Sequence, residues 1–106
     1  MLPNPQKHDA SGAFLLRREA GKWLRERREA CGLSQRQLAT AVGLDCYTII
    51  SQVESGSGRI SHDKYRIWAT ALGMDALTFT LALLRYYDPL IFGIISPAIE
   101  HKRTSE

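Results

Sequence analysis

With 106 residues, 44% of them apolar, the chain is long enough for one core built from short helices and too apolar for wholesale disorder. The net charge is only +3, but it is unevenly spread: Met1 to Leu33 carries 7 basic and 4 acidic residues, Ser34 to Gly73 carries 4 and 3, and the remainder carries 3 and 4. That front-loaded excess suits an anion-binding face, while Arg85, Asp88 and two prolines interrupt the only long apolar run and exclude a membrane span there.

The opening MLPNPQKHDASG has two prolines, no periodicity and no apolar h-region. It is expected to be a flexible arm over residues 1–12 without a secretory signal, which gives a cytoplasmic location by default. Ala13 to Cys31 is rich in Ala, Leu, Arg and Glu and reads as a helix, with Gly21 as a possible break and Gly32 as its left-handed end. Leu24, Arg28 and Cys31 share one stripe of that helix. An arginine on a buried stripe demands a carboxylate partner, because a lone buried charge costs far more than its packing returns. Cys31 and Cys46 form no CxxC and have no nearby histidine pair. They are expected to be small buried hydrophobes, with no metal bound and no disulfide.

Ser34 is placed to cap the next helix, with Gln37 completing a capping-box spacing. Leu38, Ala39 and Val42 give that helix an inward edge, Gly43 supplies a turn with positive φ, and Leu44 plugs it. In the helix that follows, Ile50 and Val53 face inward, which puts Tyr47, Thr48, Ser51 and Gln52 outside. This outward set carries no charge. Phosphate binding alone would favour lysine and arginine, whereas neutral donors, acceptors and a threonine methyl suit base edges in a major groove. Gly56 to Arg59 is a loop whose amides and Arg59 suit a backbone phosphate; no strand precedes it, so it is not a nucleotide-cradling motif.

Ser61 is expected to cap a helix with Asp63 in its first turn and with Tyr65, Trp68, Ala69 and Leu72 facing the core. Gly73 ends it, and Asp75 caps ALTFTLALLRYY. That segment has two apolar stripes, Leu77, Leu81 and Leu84 on one side and Phe79, Leu83 and Tyr86 on the other. Asp88-Pro89 restarts the chain as a cap and a first helical position. LIFGII then reads equally as a short helix or a β-branched strand. Residues 74–97 are expected to be part core and part dimerisation segment, the interface being Phe79, Leu83, Tyr86 and Phe92. Residues 98–106 are expected to be a flexible tail. His8, His62 and His101 are scattered, and no Ser/His/Asp or paired-carboxylate arrangement can be assembled, so neither an enzyme nor a cofactor is expected.

Taken together, Gly21, Leu24 and Arg28, then Gly32-Leu33-Ser34-Gln35, Leu38-Ala39, Gly43-Leu44, Ile50-Ser51-Gln52-Val53-Glu54, Gly56, Ser61 and Ala69-Thr70-Ala71-Leu72-Gly73 resemble the Cro/C1-type (XRE) helix-turn-helix family of DNA-binding transcriptional regulators. The resemblance implies an all-α, compact five-helix, lambda-repressor-like domain at residues 13–73 with a hydrophobic C-terminal extension. It implies that Gln35 touches a phosphate, that Tyr47, Thr48, Ser51 and Gln52 read bases, and that Arg28 pairs with Glu54. Arg36 and Arg59 are the further phosphate candidates. One departure stands out: Ile50 lies seven residues after Gly43, where the family places six. Either the turn is one residue longer or the helix starts later. The expected function is that of a homodimeric, sequence-specific regulator, a repressor in first expectation, on (pseudo)palindromic promoter DNA. The alternative is a protein-interaction module, an antitoxin or adaptor whose apolar C-terminal segment holds another protein.

Overall fold

In a computed structural model, residues 5–104 are described, with side chains for residues 12–99. The described chain is all-helical: α1 (Pro5–Ala30), α2 (Gln35–Ala41), α3 (Thr48–Ser55), a 3-10 turn (His62–Lys64), α4 (Tyr65–Ala71), α5 (Ala76–Tyr87) and α6 (Pro89–Thr104). Among the described residues there are six helices rather than five. LIFGII is helical, because Asp88 caps it, its carboxylate accepting the Ile91 amide at 3.2 Å, and Pro89 fits the first position, where no amide bond is lost.

Both ends of the fold differ from what composition suggested. α1 begins at Pro5, inside the stretch expected to be an arm, since proline is also a helix starter and Gln, Lys and Ala continue it; residues 1–4 lie outside the described residues. α6 runs through Pro97 to Thr104, over most of the expected tail. Pro97 removes one rung of the ladder, but Ala98 and the charged residues after it are good helix formers. Residues 105 and 106 lie outside the description.

The core collects one face from each of the first five helices: Ala20 and Leu24 from α1, Leu38 and Ala39 from α2, Ile50 and Val53 from α3, Tyr65, Trp68 and Ala69 from α4, and Phe79 and Leu83 from α5. Phe79 lies at its centre. Trp23 packs on one side with ring centroids 5.9 Å apart, and Tyr65 meets it edge-on at 6.1 Å. This corrects the interface expectation. Phe79 and Leu83 are 0% exposed within the single chain and have no surface left to offer a partner. Tyr86 is half-buried against the same core, and Phe92 is half-buried with the Arg85 guanidinium 5.2 Å from its ring centroid. The large apolar side chains left exposed near this end are Leu77, Leu90, Ile91 and Ile94.

Gly21 does not break α1. It is buried because α1 and α3 cross backbone to backbone there: a Cβ on Gly21 would overlap the Glu54 carbonyl and stand 2.6 Å from the Val53 carbonyl oxygen. Gly21→Ala is therefore expected to lower stability by roughly 1–3 kcal/mol, since main chain, unlike a side chain, cannot rotate away. Gly93→Ala, with nothing near its Cβ and a helical backbone, should instead raise stability by up to about 1 kcal/mol. Thermal unfolding of the two variants checks the opposite signs.

Candidate nucleic-acid interface

The outer face of α3 is set by what its inner face must do. Ile50 and Val53 are buried, so Tyr47, Thr48, Ser51 and Gln52 are all left exposed, as their spacing required. α3 is supported from behind by α2. Ser34 accepts the Gln37 amide at 3.0 Å and Gln37 returns the bond to the Ser34 amide at 2.8 Å, the reciprocal capping box expected from the sequence.

Beneath α3 lies the charged pair. Arg28 donates through Nε and Nη2 to Glu54 Oε2 and Oε1 at 2.7 and 3.1 Å, and its Nη1 donates to the Leu33 carbonyl at 2.8 Å. The hydrogen bond to Glu54 holds the guanidinium above its ordinary pKa against the opposing effect of burial, so it stays charged. Gln35 joins the pair, its Nε2 donating to Glu54 Oε1 at 3.1 Å. Thus α1, α2 and α3 meet at one carboxylate. The second hydrogen on Gln35 Nε2 is the group with which this side chain can meet a phosphate.

The linker between α2 and α3 spans residues 42–47. Gly43 takes φ 78° there, as expected of it. The helix starts late, at Thr48, and in an unusual way. Tyr47 at the cap position makes no side-chain cap bond. Cys46 acts in its place: its Sγ lies 2.9 Å from Thr48 Oγ1 and accepts the Thr48 amide at 3.5 Å. Those bonds from Thr48, hydroxyl first, hold the thiol below its ordinary pKa. Cys46 is exposed and so is Cys31, which corrects the expectation that both are buried. The apolar pattern around Cys31 is misleading because Arg28 and Leu24 reach the core one and two turns earlier, while α1 ends at Ala30. Ser61 is a second correction: it precedes the 3-10 turn but makes no side-chain cap bond.

The structure places the phosphate candidates on both flanks of α3. The Arg36 guanidinium stacks 5.1 Å from the Tyr47 ring centroid, so one expected backbone contact and one expected base contact share a site. On the other flank Arg59 stands 4.6 Å from the ring centroid of Tyr87, the last residue of α5. The same tyrosine accepts the Ile60 amide on its hydroxyl at 3.2 Å, and burial pushes its pKa up. The loop is held at its near end as well. Arg17 Nε donates to the Gly56 carbonyl at 3.2 Å, and Gly56, at φ 89°, sits tight against the Arg18 backbone. No local pattern in the sequence ties Tyr87 to residue 60, so its role is visible only in the fold.

The same holds for Ile49, an apolar side chain left 44% exposed on α3 beside Thr48. Spacing alone does not single it out, since adjacent helical residues can both be buried, as Leu38 and Ala39 are; the packing of α3 on its neighbours leaves Ile49 outside.

This geometry agrees with what comparison shows. A family model described as helix-turn-helix matches residues 24–79, more than half the chain, and the chain belongs to the Cro/C1-type (XRE) helix-turn-helix family. The matched domain is that of a DNA-binding transcription regulator. No curated protein matches the chain. Among the described residues no helix is long and apolar enough to cross a membrane.

Proposed function

We propose that the protein is a sequence-specific transcriptional repressor that lays α3 in the major groove and acts by occupying promoter DNA. The observation that carries this reading is an exposed, uncharged face on α3 flanked on both sides by arginines. Neutral side chains read base edges, and the charged flanks meet phosphates. Gln52 offers a bidentate amide for adenine. Thr48 has its hydroxyl engaged by Cys46, so its methyl, with that of Ile49, is the group offered to thymine. Ser51 and Tyr47 complete the reading set, and Arg36, Gln35 and Arg59 fix the register. The mechanism needs neither catalysis nor cofactor.

Thr48→Ala and Gln52→Ala test this on DNA selected from random sequence. Each is expected to weaken the selected site by about 1–3 kcal/mol and to relax specificity at its own base position. An equal loss on random DNA would show that these residues contact phosphates and would sink the assignment.

Operation as a homodimer on (pseudo)palindromic sites belongs to the same proposal. Two copies would place their α3 helices in successive major grooves, roughly 34–36 Å apart. With Phe79 and Leu83 consumed by the core, the face supporting such an interface is Leu90, Ile91 and Ile94 on α6, with Phe92 at its edge. The second reading, an antitoxin or adaptor, draws on the same exposed face but places a different protein there. Absence of salt-dependent DNA affinity would favour it.

A further inference from the structure

We propose that a stripe on α1, Arg18, Lys22 and Arg25, is a second DNA-contacting surface that grips backbone phosphates beside the C-terminal end of α3. The proposal rests on the DNA-binding reading above and extends its footprint to a helix given no such role there.

The three residues stand at i, i+4 and i+7, so they form one row along α1, and all three are exposed. Leu15, Arg18, Glu19, Lys22 and Arg25 form one wall of a concavity, and Glu54 and Ser55 of α3 form the other. Ser55 follows Ser51 by one helical turn and is exposed like it, so the concavity continues the proposed base-reading face. The close crossing at Gly21 fixes the distance between the two walls: with no side chain between the backbones, the α1 row lies as near α3 as helices can pack.

Three cations, Arg18, Lys22 and Arg25, outnumber the two carboxylates, Glu19 and Glu54, that line this concavity. Glu54 lines it, but its carboxylate already accepts from Arg28 and Gln35. Arg25 meets Glu29 at 3.4 Å in an exposed i, i+4 pair that solvent screens, so a phosphate competes for it readily. Arg18 lies 5.8 Å from the Phe14 ring centroid, which steadies its stem along the helix. From residue 18 to residue 25 the row spans roughly 10 Å, the axial length of about three phosphates on one strand.

The experiment measures the full chain on a mixed-sequence DNA duplex across a salt series. R18Q/K22Q should lower the slope of log affinity against log salt by about 2, and K22Q alone by about 1. R18K/K22R should keep the original slope. The control K64Q/R66Q makes the same charge change at exposed positions on the 3-10 turn and α4, off the stripe; it should leave the slope nearly unchanged. All substituted side chains are exposed, and unaltered thermal midpoints would verify folding. An unchanged slope in R18Q/K22Q, with a salt-dependent parent, overturns the stripe. An equal drop in the control also overturns it, because net charge alone would then explain the result. A parent without salt-dependent affinity defeats the DNA-binding reading itself.

Discussion

Glu54→Ala is expected to destabilise the protein by about 3–5 kcal/mol, a large fraction of the stability of a chain this size. The side chains of Arg28 and Glu54 are 10% and 6% exposed, so removing the carboxylate leaves a guanidinium in the core with only the Leu33 carbonyl as partner. Gln35 loses its acceptor at the same time. Thermal unfolding should show the midpoint falling by on the order of 20 °C. A drop of only a few degrees would mean that water reaches Arg28 and that the three-helix junction is looser than its distances indicate. Replacing both charged partners with apolar residues should cost less than removing Glu54 alone, because no charge is then stranded.

The second large effect separates core from surface at the C-terminal end. Phe79→Ala is expected to cost about 3–5 kcal/mol, because the vacated space is lined by Trp23 and Tyr65, which are held by their own helices and cannot both close over it. A charged residue at Leu83 should likewise unfold the chain rather than yield a soluble monomer. Leu90→Asp should do the reverse. Leu90 is 81% exposed, so stability should be unchanged while any self-association through α6 is lost. Sedimentation and thermal unfolding of these variants give the two readouts. An unchanged mass for Leu90→Asp beside a dimeric parent would remove α6 from the interface.

The difference between these residues shows where the sequence was legible and where it was not. The need of Arg28 for a carboxylate follows from electrostatics alone, and the capping box at Ser34 follows from spacing; both are present at hydrogen-bond distance. Gly43, Ile50, Val53 and the outward set on α3 follow from helical geometry. On α5, by contrast, periodicity displays two apolar stripes of equal quality. Which one is buried depends on Trp23 and Tyr65, one from α1 and the other from α4, and no local pattern contains that information. The late start of α3 was one of two alternatives left by counting from Gly43. Cys46 selects it, since its sulfur takes the amide of Thr48. The helical ends at Pro5 and Thr104 were hidden by prolines that compositional reading treats as breakers.

Tyr87 ends α5, its hydroxyl takes the Ile60 amide and its ring carries Arg59, while Asp88 and α6 follow at once. The position of α6 and the attitude of the loop after α3 are therefore not independent variables. On the reading proposed above, a partner that shifts the last turn of α5 by binding α6 would move Arg59, and thermodynamic reciprocity would then require DNA to act on that partner's affinity by the same factor. Tyr87 is thus the residue at which the end of α5, the start of α6 and the loop after α3 are joined.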